Sequence, residues 1–155
     1  GGIRVPLIAY WPGRIRPGTT TDHISAHWDF LPTACALAGI ESPKSIDGIS
    51  FLPTLLGKNK EQEQHDYLYW EFYEQGGKRA ARFGKWKAIQ RNLKRNLNSP
   101  ILLFNLEADI GEKKNLAEKQ PELVKRARNI FAEAHTPSKR WGNLAKSSPK
   151  TKKSE

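Results

Sequence analysis

Residues 67–90 read YLYWEFYEQGGKRAARFGKWKAIQ, and this stretch decides the fold that the sequence predicts. Aromatic and aliphatic residues fill three short runs in it, Tyr67 to Phe72, Arg79 to Phe83 and Trp86 to Gln90, separated by turns that contain glycine. Such runs are typical of strands joined by tight turns, and a fourth run follows at Ile101 to Leu106. We therefore predict a small antiparallel sheet of three or four strands.

Downstream of this sheet the sequence predicts a terminal helix. Pro121 occupies a position that a first helical turn tolerates. Apolar residues follow it at helical spacing, which predicts packing against another element: Leu123, Val124, Ala127, Ile130, Phe131 and Ala134. Past Thr136 the chain is rich in Ser, Pro and Lys, so we expect a mobile tail there. The segment Arg91 to Ser99, before the fourth strand, has the composition of a solvated loop.

Upstream, the apolar run from Val5 to Trp11 predicts a buried strand. A helix then follows, with Ser25 as its expected N-cap and Gly39 as its end. Ser50 can cap a short helix from Phe51 to Leu56. The expected apolar face of the longer helix comprises Phe30, Leu31, Ala34, Cys35, Leu37 and Ala38.

Composition excludes several classes of protein. No apolar stretch of about 18 residues occurs, so a membrane span is excluded, and the single cysteine, Cys35, rules out an internal disulfide or a four-cysteine zinc site. The net charge of +10 favours a polyanionic partner. Residues 138–155 hold six Lys or Arg and one Glu, so half of the excess lies in the tail.

Five short motifs follow one another along the chain, over roughly residues 1 to 136. The sequence contains no Met, and no leader precedes the apolar run from Val5 to Trp11, so we expect that the sequence begins partway through a longer protein. The motifs are residues 1–6 (GGIRVP) with 11–13 (WPG), 25–33 (SAHWDFLPT) with 38–39 (AG), 47–50 (DGIS) with Leu52, Leu55 and Gly57, 81–87 (ARFGKWK), and 103–106 (LFNL) through Asp109, 111–112 (GE) and 115–117 (NLA). In this order the motifs resemble the C-terminal portion of the formylglycine-dependent sulfatase family. Ile110 stands where that family usually has Pro.

The resemblance implies an α/β fold: the edge of an alkaline-phosphatase-like core, a strand plus helices, over residues 1–57. A small antiparallel-sheet subdomain with a packed helix would cover residues 58–136, and a basic flexible tail residues 137–155. It also implies a sulfuric ester hydrolase whose formylglycine, calcium ligands and active-site lysine all lie upstream. This chain would hold no catalytic residue and be inactive alone, needing the rest of the core domain. Family members are commonly periplasmic, secreted or lysosomal.

The candidate nucleophile and metal ligands within the chain are better interpreted as structural residues. Formylglycine is made within a Cys-x-Pro-x-Arg motif, whereas Ala36 to Gly39 follow Cys35, so we predict a packed helix residue. His23 and His27 have a zinc-like spacing, but the expected cap at Ser25 lies between them, and we predict no metal site. The aspartates are dispersed, without the spacing of a calcium loop.

Substrate recognition is the expected contribution of this chain, through the hairpin from Trp70 to Arg82, which combines aromatic residues with Glu71, Tyr73, Glu74, Lys78 and Arg79. Of these, Tyr73, Glu74 and Lys78 lie on the turn itself and are the predicted substrate-binding residues. Aromatic rings stack on sugars, carboxylates accept hydroxyl hydrogen bonds, and cations pair with sulfate. A solvated loop is the alternative for these three residues, and the sheet core is the alternative for Tyr69, Trp70 and Phe72. The predicted substrate is a sulfated saccharide or an aryl sulfate.

Arg4 is expected to support the pocket wall by hydrogen bonds to backbone carbonyls.

Two other functions stay open. Basic residues interleaved with aromatics between Trp86 and Arg95 would suit a nucleic-acid or polyanion-binding module, although no specific nucleic-acid motif is present. A related phosphatase or phosphodiesterase would share the core fold, and its upstream metal ligands would distinguish it.

Overall fold

A computed structural model describes residues 2–138. Within them the chain divides after Asp66 into two compact units, each described separately below. Most of the predicted tail, residues 139–155, lies outside the described residues, as does Gly1 of the first motif. In the described part of the chain, no helix has the length and apolar character that crossing a bilayer requires.

The first unit contains two α-helices that the sequence largely predicts. Helix α1 spans Phe30–Ala38, directly after a 3₁₀ turn at His27–Asp29, and α2 spans Leu52–Leu55. Gly39 ends α1 in the left-handed conformation, with φ of 69° and ψ of 28°. The Gly39 N–H donates to Ala36 O and the Ile40 N–H donates to Cys35 O, at 3.4 and 3.0 Å, which is the Schellman pattern. Gly39 therefore ends the helix as predicted.

Asp29, rather than Ser25, organises the start of α1. Its side chain is 1% exposed, and its two carboxylate oxygens accept the Ala26 N–H at 2.6 Å and the Ile49 N–H at 2.9 Å. His65 Nε2 lies 2.9 Å from the same carboxylate. Since a buried carboxylate must be paired or hydrogen-bonded, Asp29 fixes the segments on both sides of the helix. The predicted cap at Ser25 is wrong.

Thr33 continues this polar core one helical turn later. Its hydroxyl donates to Asp29 O at 2.7 Å and accepts the Phe51 N–H at 3.0 Å, which ties α1 to the residue before α2. Gly48 passes so close to the 3₁₀ turn before α1 that an added Cβ would lie 2.3 Å from Trp28 O. The Asp-x-x-Pro-Thr and Asp-Gly motifs thus meet in one packed junction.

The predicted buried strand from Val5 to Trp11 is wrong. This segment has no strand assignment, and its side chains are exposed, Ile8 by 91% and Tyr10 by 87%. A strand is buried only where neighbouring strands accept its backbone hydrogen bonds, and no described residues pair with this run.

The predicted apolar face of α1 is also mostly exposed. Phe30, Leu31 and Leu37 are open to solvent, and Cys35 is the buried member of the predicted face.

The second unit is a four-stranded antiparallel sheet in the order β1-β2-β3-β4, which confirms the prediction. The strands are β1 Leu68–Phe72, β2 Lys78–Phe83, β3 Trp86–Arg91 and β4 Ile101–Asn105. Each strand pairs with the next in sequence, as expected where tight turns join neighbours.

Helix α3, Pro121–Glu133, packs on one face of this sheet. Pro121 stands at its first turn, as predicted, where its missing N–H costs no hydrogen bond. The helix buries Ala127, Ile130 and Phe131 against inward-facing strand residues: Ala81, Phe83, Ala88, Ile101 and Leu103. Tyr69 packs at the edge of this core, which favours the core interpretation for that residue.

Candidate functional site

The turn between β1 and β2, residues 73–77, has a backbone that few sequences can adopt. Gln75, Gly76 and Gly77 have φ angles of 48°, 87° and 75°, and the Gly77 N–H donates to Glu74 O at 3.0 Å. Consecutive positive φ angles favour glycine, because a Cβ is strained there. The Gly-Gly pair therefore sets the path of the turn and the direction in which its neighbours project.

A second segment, the loop of residues 91–99, holds this turn in place. The Leu93 N–H donates to Gly77 O at 3.2 Å, and the Lys94 N–H donates to Gly76 O at 3.0 Å. Leu93 is 1% exposed, so a buried side chain also holds the loop in place. Sequence composition suggested a solvated loop, and its polar tip is exposed, but its backbone is fixed by these bonds.

The three predicted substrate residues lie together on and beside this turn. Glu74 is exposed, and the described residues supply its carboxylate with no hydrogen-bond partner. Lys78 Nζ donates to Gln75 Oε1 at 2.7 Å and lies 5.6 Å from the centroid of the Phe72 ring. Tyr73 is half-buried, and its hydroxyl donates to Glu71 Oε2 at 2.6 Å.

Arg4 is exposed in the first unit, and its proposed supporting role stays a prediction.

Glu71 is the centre of a network that sequence reasoning missed. Its carboxylate accepts the hydroxyls of Tyr69 and Tyr73, and His135 Nδ1 lies 2.5 Å from Oε1. His135 follows α3 by two residues, so the network joins β1, the turn and the end of the helix. The alternation Tyr-Glu-Tyr along one strand face was visible in the sequence, but His135 carried no such signal.

The charges in this network follow from its hydrogen bonds. Burial alone would raise the pKa of Glu71, but the donors Tyr69, Tyr73 and His135 outweigh burial and hold the pKa below its usual 4.5. The bond to Glu71, helped by burial, raises the pKa of Tyr73 to about 12. Burial, together with Glu71, also raises the pKa of Tyr69. The Glu71 carboxylate is thus ionised and already bonded to three partners, whereas the Glu74 carboxylate has no partner among the described residues.

Arg79 is a structural residue. Its Nε donates to Gln90 Oε1 at 2.8 Å, and its guanidinium carbon lies 4.6 Å from the centroid of the Phe131 ring. These contacts attach β2 to β3 and to α3. Arg79 therefore belongs to the packing of the sheet, while Lys78, on the opposite face, stays at the surface of the turn.

The first unit carries a polar cleft of about 300 Å³, lined by Thr21, Asp22, His23, Thr54, Asn59, Gln62 and Gln64. Its central side chain, Gln62, is fully engaged. Oε1 accepts the backbone and hydroxyl of Thr54, and Nε2 donates to Ser50 O and Glu63 O. Burial lowers the pKa of His23 despite the nearby Asp29, so its imidazole is neutral at pH 7. The side chain of Gln62 is therefore not free to bind a ligand in this cleft.

The candidate metal ligands and the one cysteine form no reactive cluster in the described part of the chain. Within residues 2–138, no group of three or more His, Cys, Asp or Glu side chains could hold a metal ion. His23 lies 3.4 Å from Gln64 Nε2 rather than forming a pair with His27. Cys35 is a free, buried thiol in α1, which agrees with its prediction as a packed helix residue.

The family model and the curated relatives that match this chain are sulfatases. The model of the "N-sulphoglucosamine sulphohydrolase, C-terminal" family matches residues 1–134. Arylsulfatase A of Bos taurus is 34% identical over 147 residues, which cover 82% of this chain and 29% of that protein. The chain therefore spans less than a third of the length of this relative.

Solved structures give a consistent result. A 2-O GAG sulfatase is 31% identical, with a TM-score of 0.57 over 68% of this chain and 23% of its own. Ps i-CgsB in complex with k-i-k-neocarrahexaose is 26% identical, with a TM-score of 0.68 over 81% of this chain and 27% of its own. In both cases about a quarter of a larger protein matches two thirds or more of this chain.

Proposed function

Since this chain belongs to the sulfatase family and corresponds to its C-terminal portion, we propose that it forms one wall of the substrate pocket of an enzyme that hydrolyses sulfate esters of carbohydrates. The single observation that carries the proposal is the turn of residues 73–77. It presents an open carboxylate, a tyrosine and a lysine on a backbone fixed by a second loop. A rigid scaffold for polar side chains lowers the ordering cost of binding.

Each of the three side chains keeps hydrogen-bonding capacity for a sugar. The Tyr73 hydroxyl donates to Glu71, but its oxygen can still accept a bond from a sugar hydroxyl. The Glu74 carboxylate can accept from two hydroxyls, and Lys78 uses one of its three donors on Gln75. Two of the similar solved structures are a GAG sulfatase and a complex with k-i-k-neocarrahexaose, which supports a saccharide substrate.

The reactive groups are proposed to belong to other sequence of the same protein. Formylglycine would supply the nucleophile and calcium the charge stabilisation, as the family resemblance implies. The described residues do not fit either group, because Cys35 is buried outside the required motif and no cluster of metal ligands is present among them. No step of the reaction is therefore assigned to this chain. Location in the periplasm, outside the cell or in lysosomes is proposed from the resemblance alone.

The test uses the full-length protein and two substrates, a sugar sulfate and a small aryl sulfate. Replacing Tyr73 and Glu74 by Ala removes the proposed hydrogen bonds to sugar hydroxyls, which a small aryl sulfate does not have. A hydrogen bond to a charged group contributes about 1.5–3 kcal/mol, so kcat/KM for the sugar sulfate should fall by about 10- to 100-fold. Turnover of the aryl sulfate should change far less.

A matched control removes an exposed glutamate elsewhere in the same unit. Glu118 lies in the 3₁₀ turn Ala117–Lys119, and Glu118→Ala should leave both rates near those of the unaltered protein. Equal losses on the sugar sulfate and the aryl sulfate in the Tyr73/Glu74 variant would show that these residues do not recognise the sugar.

A further inference from the structure

The face of the sheet opposite α3 ends in a cross-strand row of one aromatic ring and two cations. Phe72 pairs with Lys78, and Lys78 pairs with Arg91. Directly paired residues of antiparallel strands project on the same face with their Cβ atoms about 5 Å apart. The Phe72 ring is 47% exposed, so the row combines an open apolar surface with positive charge.

The 91–99 loop extends this row beyond the sheet. Gln90 Nε2 donates to Leu97 O at 3.0 Å and to Ser99 O at 2.6 Å, and the Ser99 hydroxyl donates to Arg91 O at 2.5 Å. The Arg95 N–H donates to Asn92 O at 3.0 Å, which turns the chain within four residues of Arg91. The loop therefore presents Arg95 from a fixed backbone.

The charges on this surface are unbalanced. Arg91 and Arg95 are exposed, and neither forms an ion pair with any residue between 2 and 138. Lys78 and Lys94 add two further cations, while Glu74 is the one carboxylate within the turn and the loop. A guanidinium has several N–H donors in one plane, and their geometry matches the oxygens of sulfate and carboxylate. Arg91 and Arg95 therefore offer an anionic ligand two guanidinium groups that form no ion pair with residues 2–138.

We propose that Phe72, Lys78, Arg91 and Arg95, hereafter the arginine surface, bind an anionic sugar unit of an extended saccharide. The inference rests on the proposed function and deepens it, because it assigns the enzyme a chain of several charged sugars rather than a single one. The Phe72 ring would stack on a sugar face, while the guanidinium groups would pair with its sulfate or carboxylate.

The experiment measures binding of a heparin-derived hexasaccharide and disaccharide to the full-length protein at fixed salt. Arg91→Ala with Arg95→Ala should weaken hexasaccharide binding at least tenfold and disaccharide binding much less. The control, Lys125→Ala with Arg128→Ala, removes the same charge from exposed positions on α3. It should weaken hexasaccharide binding less than twofold. Equal weakening in the two double variants, or no change in the first, overturns the proposal.

A second arm separates a sugar from any other polyanion. Phe72→Ala should weaken hexasaccharide binding and leave binding of inorganic polyphosphate, which has no ring to stack, unchanged. Equal effects on both ligands, or tighter binding of single-stranded DNA than of the hexasaccharide, would refute the assignment to a saccharide. Turnover of a monosaccharide sulfate by the unaltered protein reports separately on the proposed function, so failure of the arginine surface leaves that result standing.

Discussion

Replacement of Glu71 tests whether one carboxylate holds the turn, the strand and the helix end together. Glu71→Ala leaves the Tyr69 hydroxyl, the Tyr73 hydroxyl and the His135 ring without their common acceptor. Glu71→Gln keeps the shape. Its carbonyl can still accept from Tyr69 and His135, and its amide can donate to the oxygen of Tyr73.

The magnitude follows from the exposure of the three donors. Hydrogen bonds to a charged acceptor contribute about 1.5–3 kcal/mol each, but Tyr73 and His135 are near enough to solvent to bond water instead. Most of the cost therefore falls on Tyr69, and the Ala variant should lose about 3 kcal/mol of local stability. The Gln variant, which loses mainly the charge, should lose about 1 kcal/mol.

Amide hydrogen exchange in the full-length protein is the appropriate assay, because it reports the opening of β1 and the turn rather than of the whole chain. Amides of residues 69–77 should exchange about a hundredfold faster in the Ala variant and several-fold faster in the Gln variant. Equal acceleration in both, or none in either, would refute the role of the carboxylate.

The pH dependence gives an independent check. The pKa of Glu71 is lower in the folded state than its usual 4.5, so its contribution to stability is fully present above that pH. The contribution is lost as the pH falls through the folded-state pKa. The stability difference between the unaltered protein and Glu71→Gln should therefore shrink below pH 4.5, and a constant difference down to pH 2 would contradict this interpretation.

Two further predictions concern the first unit and the isolated chain. Gly48→Ala should cost about 2–3 kcal/mol in urea unfolding, because its Cβ would lie 2.3 Å from Trp28 O. Gly111→Ala should cost less than about 1 kcal/mol, because its Cβ would meet no atom closer than the Lys113 side chain at 3.4 Å. Equal costs would contradict the close approach at Gly48. The 155-residue chain expressed alone should show no turnover of an aryl sulfate with calcium present, and turnover above background would contradict the placement of the reactive groups elsewhere.

The sheet and α3 were predictable because each depends on contacts close in sequence. The strands β1 to β4 pair with their neighbours through short connections, so residue type and turn residues carried enough information. Gly39 and Pro121 were also recognisable, since their effects on helix ends are local. The run Val5 to Trp11 was not, because its apolar character indicates burial but cannot supply a partner strand.

The position of the candidate residues in a turn was predictable from the sequence, but their contacts were not. Tyr73, Glu74 and Lys78 were found from their position in a turn, yet Glu71 and Glu74 were indistinguishable as members of the same run. Only the fold separates them, because Glu71 meets His135, 64 residues away, while Glu74 points to no described partner. The same holds for Asp29, whose partner His65 lies 36 residues downstream.

The two backbone bonds from Leu93 and Lys94 to the glycines of the turn have an evolutionary consequence. Inserting or deleting a residue in either segment would shift those donors out of register with their acceptors, so the two segments can change length only in concert. Side chains at their exposed tips can meanwhile be exchanged freely. Relatives with different preferences should thus differ here by matched pairs of insertions or by simple substitutions, and rarely by a gap in one segment alone.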